Sequence, residues 1–332
     1  MRFCEINDIA SVASEIAGGL RARGHEVEVI HPRLLGGGLP WSVKPVVGPV
    51  RAAEWAGIIR EVRGGNFDIV HIHYAYLGMV GVLGRFPYLL HCHGSDVREV
   101  HAFTRPLVER ALASAGRVFY ATPDLERFVR QRRKDAMFLA NPVDVEEFRP
   151  LTPASASNSV LVCCALTEIK GAVRILNACR LLAERRPEIE ITVIGGGDYT
   201  PQFAALPNVR VVPHRPREEL PELISHHGVV VGQVLLGALG MAELESLACA
   251  RPLVAWFRYD RAYPEPVPMV RAVDGRDIAE AVIRLVDDPG LRQRMGDAGR
   301  AWIERNHSLA TAAEAVEVAA LDVIAQGAER SA

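Results

Sequence analysis

The 332-residue chain is too long for one ordinary core and suits two domains of roughly 150 residues each. A hydrophobic content of 49% with few aromatics excludes disordered and fibrous classes, and a formal charge of −2 gives no global pull toward nucleic acid or membrane. The six cysteines lie in apolar contexts without a C-x-x-C pair, and MRFCEI begins a strand at once. That predicts a reduced, cytoplasmic protein without a secretory signal. No apolar run is long enough to span a bilayer.

In chain order, β-branched runs predict strands at Arg2–Ile6, Val27–Ile30, Phe67–His73, Tyr88–Cys92, Arg117–Tyr120 and Ala136–Leu139. Between the first two lies a helix with Val12, Ile16 and Leu20 on one face, started by Ser11 and stopped at Gly24. Such alternation means a parallel sheet wrapped by helices. The stretch LTPASASNS has no periodicity and is read as a linker following Asn141-Pro142-Val143-Asp144.

The alternation then restarts, with strands at Val160–Cys164, Ile189–Ile194, Val209–Val212, Gly228–Val231 and Leu253–Trp256. Helices are expected around Val173–Leu182, over Asp277–Asp288 and over Ser308–Ala325. Ligands in such sheets bind outside the carboxyl ends of the strands, so the loops of both domains are expected to share one cleft. The segment Gly237–Pro252, GALGMAELESLACARP, opens on a glycine-rich turn and continues as an amphipathic helix into an apolar strand. Backbone amides at such a helix start attract anions, and a carboxylate in its first turns can accept bonds from paired sugar hydroxyls.

These pieces resemble, in the expected order, the GT-B glycosyltransferases of the GT4 type (glycosyl transferases group 1). The matching stretches are RARGHEVEVI (21–30), DIVHIHY (68–74), LLHCHGSD (89–96), NPVDVEEFRP (141–150), LTEIKG (166–171), ITVIGGG (191–197), NVRVVPHRPREELPELI (208–224) and ELESLACARPLVA. The resemblance implies an α/β fold of two Rossmann-like, doubly wound domains facing a central cleft. It divides the chain into an acceptor-binding domain at 1–148, a nucleotide-sugar-binding domain at 149–308, and a C-terminal helix at 309–332 packing back on the first domain. The implied activity is a retaining, hexosyltransferase-type transfer from a nucleotide-sugar to an acceptor hydroxyl, with no required cofactor. The absence of a D-x-D triplet agrees with independence from metal.

By the same resemblance, Glu245 clamps the ribose of the nucleotide, and Lys170 meets the diphosphate with backbone amides of Leu239, Gly240 and Met241. His93 faces the transferred sugar, and His93 and Lys170 are the catalytic candidates. Ser11 is a further donor-side candidate, with plain capping of the first helix as its alternative. Ser95, Asp96 and His73 are acceptor-side candidates, with capping of the next helix as the alternative for Ser95 and Asp96 and a structural or cleft-lining role as that for His73, the acceptor being a glycan, lipid or small molecule. Three departures mark a divergent subgroup: Gly237 stands where the family has a first glutamate, Ala165 where it has an arginine, and the N-terminal loop reads NDIASVAS. Glu243, about 160° around the helix from Glu245, is read as an exposed helical residue, the alternative being that it turns into the cleft in place of the missing first glutamate.

Two other classes stay open. His71 with His73 and His91 with His93 form H-x-H pairs, which in a strand share a face. With Asp96 they compose the site of a metal-dependent hydrolase. The alternative is a GT-B protein that binds nucleotide-sugars but has lost catalysis. Gly195-Gly196-Gly197 fails as a dinucleotide fingerprint, having Thr200 at its sixth position. The basic run at 127–134 is a solvated face or a point of peripheral membrane contact.

Overall fold

Alternating strands and helices fold into two units, Met1–Pro142 together with the segment from Leu309, and Val143–Ser308. The computed structural model describes residues 1–33 and 44–331. In the first unit the strands are β1 (Arg2–Ile6), β2 (Glu26–Ile30), β3 (Ile69–His73), β4 (Tyr88–Cys92), β5 (Arg117–Tyr120) and β6 (Met137–Phe138). Its helices are α1 (Val12–Ala22), α2 (Gly48–Gly64), α3 (Met79–Gly84), α4 (Ser95–Arg98), α5 (Arg105–Ser114) and α6 (Glu126–Arg130). All strands pair parallel in the order β2-β1-β3-β4-β5-β6. β3 and β4 are buried at every position, as strands covered on both faces must be.

The second unit repeats the plan with β7 (Val160–Val162), β8 (Ile191–Ile194), β9 (Val209–Val212), β10 (Val229–Val231), β11 (Leu253–Ala255) and β12 (Val270–Arg271). They are accompanied by α7 (Ala172–Arg185), α8 (Thr200–Ala204), α9 (Leu220–Ser225), α10 (Met241–Ala248), α11 (Gly275–Asp287) and α12 (Pro289–Asn306). This sheet is also parallel, ordered β12-β11-β10-β7-β8-β9. One core lies beneath α7 and α11, and a second gathers Val143, Phe148, Leu161, Leu244 and Trp302.

The second unit begins at Val143 rather than near 149, because Val143 and Phe148 belong to its core and the Val143 amide donates to the His307 carbonyl at 2.9 Å. The stretch expected as a linker is built in. The buried Arg251 donates to the Thr152 carbonyl, and the buried Arg292 donates to the carbonyls of Ala154 and Ser155.

The final helix α13 (Leu309–Ser331) returns to the first unit and packs on α1. Gly19 makes that approach possible: a Cβ there would sit 2.6 Å from the Leu309 carbonyl oxygen and 2.9 Å from the Ala313 Cβ. Arg23 and His25 then bind Glu317, and Arg117 binds Asp322. Ala332, within the expected helix, lies outside the described residues. No described helix is long and apolar enough to cross a membrane.

Candidate functional site

In the second unit the chain switches direction across the sheet between β7 and β10, so the loops leaving those two strands border the place where such a sheet receives a ligand. The first loop carries Ala165 and Lys170, and the second runs from Gly232 through Gly240 into α10. They are laced together. The Val234 amide donates to the Lys170 carbonyl at 3.0 Å, and Lys170 Nζ donates to Gln233 Oε1 at 3.2 Å. Lys170 is half-buried and, among the described residues, pairs with no carboxylate. A cation held by a neutral amide keeps its full charge for an anionic ligand.

Gln233 was not singled out from sequence, although an amide one glycine past an apolar strand and before a glycine turn is a signal. It is buried, donates its side-chain N–H to the Ala238 carbonyl, and gives its backbone N–H to Glu243 Oε1 at 2.9 Å. Glu243 itself corrects the expectation of an exposed helical residue. It is 3% exposed, and its other oxygen accepts the Gly240 amide at 2.8 Å. Glu243 is thus a carboxylate at the third helical position folded back to the start of α10. With both oxygens occupied, it fixes the loop.

Glu245 is 4% exposed and differently placed. Oε1 accepts from Arg217 Nε at 3.1 Å, while Oε2 accepts nothing from the described residues. Arg217 also pairs with Glu147 at 2.8 Å and lies 4.6 Å from the Phe148 ring centroid, so the guanidinium is clamped on three sides. Burial pushes the Glu245 carboxyl up to about 7, against the opposing pull of Arg217. Arg217 was another omission from the expected set, though it lies within the PHRPREEL stretch.

At the start of α10 the expected amides divide. Gly240 spends its N–H on Glu243 and is not available to a ligand. The amides of Leu239 and Met241 have no partner among the described residues, while the Leu239 side chain is core. Gly237 has φ 76°, and a Cβ there would sit 3.1 Å from Arg258 Cγ and 3.2 Å from Trp256 Nε1. Arg258 further donates its amide to the Gly237 carbonyl at 3.2 Å. A glutamate at 237 would meet both a left-handed backbone and this packing.

In the first unit the corresponding switch lies between β1 and β3. β1 carries Glu5, β3 carries His71 and His73, and β4 carries His91 with His93 just beyond its end. Glu5, fully buried, meets His71 Nδ1 at 2.9 Å and His73 Nε2 at 2.7 Å. Burial alone would raise this carboxyl, but the two imidazoles bring it below the ordinary carboxylate range. His73 in turn meets His93, Nδ1 to Nε2, at 2.9 Å. Burial holds His73, His91 and His93 below the usual imidazole range and therefore neutral.

His73 has no exposed surface and both its ring nitrogens are engaged, so it stands behind His93 and not on an acceptor-contacting surface. Asp96 is likewise committed: it accepts the amides of Ala75, His93 and Gly94 at 2.9, 3.1 and 2.6 Å. It ties the β4 loop to the β3 loop and has no free face for an acceptor. Ser95 is exposed, with its hydroxyl 3.4 Å from Tyr74 Oη. The donor atoms of His71, His73 and His91 lie within 4.8 Å of one another. A hydrolase built there would need an open coordination position and Asp96 as a ligand. All three rings are sealed from solvent, and the Asp96 oxygens are taken.

Ser11 adopts a left-handed backbone and makes no side-chain cap. Asp8 caps α1 instead, accepting the amides of Ala13 and Ser14, while the Val12 amide goes to the Ile9 carbonyl. The amides of the first turn of α1 are therefore used within the chain. The basic run is also partly spent. Arg130 pairs with Glu126, Arg132 donates to the Phe128 carbonyl, and Arg133 donates to the carbonyls of Leu112 and Ala115 and pairs with Asp135.

Two Rossmann-like units, one presenting a lysine without a carboxylate partner among the described residues, open amides and a half-used buried glutamate, define a GT-B protein. Residues 9–137 match the family model described as a glycosyl transferase 4-like domain, and residues 174–317 match one described as glycosyl transferase-like. The chain belongs to the GT4-like superfamily of GT-B fold glycosyltransferases. It is 27% identical over 199 residues to a GDP-mannose-dependent monoacylated alpha-(1-6)-phosphatidylinositol monomannoside mannosyltransferase of Corynebacterium glutamicum, a match covering 51% of this chain and 52% of that one. The match thus spans about half the length of that relative. A D-inositol 3-phosphate glycosyltransferase of Kribbella flavida is 27% identical over 297 residues, covering 75% of this chain and 69% of its own length. In fold, the chain is similar to Anabaena HepE, solved with UDP and glucose, at a TM-score of 0.72 and 13% identity, covering 96% and 98% of the two chains.

Proposed function

We propose that this chain transfers a hexosyl group from a nucleotide-sugar to an acceptor hydroxyl, with retention of anomeric configuration and without a metal ion. The observation that carries the reading is the contrast between the two glutamates of α10. Glu243 is saturated by amides of its own loop, whereas Glu245 keeps Oε2 for a ligand. A buried carboxylate with one oxygen fixed by arginine suits a pair of ribose hydroxyls. Lys170 and the open amides of Leu239 and Met241 then stabilise the leaving diphosphate, and catalysis rests on that stabilisation and on positioning.

His93 meets the transferred sugar, and the acceptor is drawn from glycans, lipids and small molecules. The names of both curated relatives include inositol, which puts inositol phosphates and inositol lipids first among acceptors to try. GDP-mannose leads the donors for the same kind of reason. A cytoplasmic site fits six cysteines that are all unpaired. Peripheral membrane contact through 127–134 would fall to Arg127 and Lys134.

The test is a transfer assay in EDTA with the product's anomeric configuration read by proton NMR. The expected product keeps the donor's configuration at a rate that EDTA leaves unchanged. An inverted product would overturn retention, and loss of activity in EDTA would overturn metal independence. A second reading, a nucleotide-sugar-binding protein without catalysis, is favoured by Gly237 and Ala165; donor binding with neither transfer nor donor hydrolysis would establish it.

A further inference from the structure

We infer that Glu5 and His73 are positioning residues that lock His93 in a single tautomer, leaving Nδ1 of His93 as a bare acceptor for a ligand hydroxyl. The inference follows from the direction of two contacts. A carboxylate accepts and does not donate, so the 2.7 Å contact from His73 Nε2 to Glu5 places a proton on His73 Nε2. In a neutral ring His73 Nδ1 then carries a lone pair, and the 2.9 Å contact to His93 Nε2 must be an N–H donated by His93. The remaining nitrogen, His93 Nδ1, bonds no described residue and, unlike both nitrogens of His91, is not sealed from solvent. Only an O–H or N–H donor can satisfy it.

The lock is rigid because its lower members cannot move. Glu5, His71, His73 and His91 have no exposed surface, and the His93 ring stacks at 5.1 Å on His73 and 4.4 Å from His91. Glu5 is held from a second direction by His71 Nδ1 at 2.9 Å. The sequence alone offered no reason to join Glu5 to the histidines, since β1 and β3 become neighbours only in the sheet. That the hydroxyl belongs to a sugar rests on the proposed transferase reading; the tautomer does not.

Ring nitrogens of the ligand-free, histidine-labelled protein are to be read by long-range proton–nitrogen correlation at neutral pH, with His73 and His93 assigned by single substitutions. The expected spectrum shows both rings protonated at Nε2 and bare at Nδ1. A His93 ring protonated at Nδ1, doubly protonated, or averaging between tautomers would overturn the inference. So would stoichiometric Zn²⁺ shifting His71, His73 and His91 together, which would mark a metal site instead. In Glu5→Gln, whose amide can donate as well as accept, His93 should begin to average and kcat should fall about tenfold or more, with donor KM within about twofold. Glu5→Asp should recover part of the loss. If Glu5→Gln does not fold, the wild-type spectrum alone decides. A locked His93 in a protein that transfers no sugar would sink the transferase reading and leave the lock standing.

Discussion

Replacing Lys170 with methionine should lower kcat for sugar transfer by about 100-fold or more, with the chain still folded. Methionine keeps most of the apolar stem and removes only the charge. The lacing of the two loops survives, because the Val234 amide bonds the Lys170 backbone carbonyl and not its side chain. The charge itself is poised for a ligand: its one described contact is the neutral Gln233 oxygen at 3.2 Å. With Ala165 replacing the arginine expected there, little else in these two loops is positive. Steady-state rates for the two proteins with one donor check this, and a methionine variant within about threefold of wild type would remove Lys170 from the chemistry.

Glu245→Gln should weaken donor binding by roughly 10- to 150-fold, the value of a hydrogen bond to a charged group at 1.5–3 kcal/mol. The effect should also depend on pH. Burial, outweighing Arg217, pushes the Glu245 carboxyl up to about 7, so the anion proposed to receive the ribose is lost as pH falls through 7. Donor Kd should therefore rise below pH 7, toward tenfold per unit, and the glutamine variant should lack this slope. Stability runs the other way. A carboxyl raised in the folded state makes the native protein hold more protons than the unfolded chain between about 4.5 and 7, so its contribution to stability falls as pH rises through that window. Titration calorimetry over this range is the check; a flat wild-type profile would contradict the placement of the ribose on Glu245.

The fold was largely legible because parallel strands buried on both faces read as β-branched runs, and those runs were placed within a few residues. What escaped were elements with weak patterns. β12 is a two-residue edge strand, and α12 is polar over much of its surface. The unit boundary was misplaced because Val143 and Phe148 look like the tail of the first domain, and only the packed core shows that they serve the second. At the site, spacing could tell that Glu243 and Glu245 leave the helix on different sides, but not that both are buried. The sign was present all the same: Gly240 followed three residues later by Glu243 is half of a capping box.

Polar pairs between distant stretches were out of reach. Glu5 with His73, Lys170 with Gln233 and Arg217 with Glu245 are each separated by 28 residues or more, and no local period connects them. Ser11 shows the same limit on a shorter scale, since Asp8 reaches past it to cap α1 once the backbone turns left-handed.

The most direct measurement is calorimetric titration of the wild-type chain with GDP-, UDP-, ADP- and dTDP-sugars in EDTA. The account predicts that at least one donor binds with 1:1 stoichiometry and is displaced by its own nucleoside diphosphate. Binding by none of them, in a protein that instead purifies with stoichiometric metal and hydrolyses an ester or amide, would contradict it.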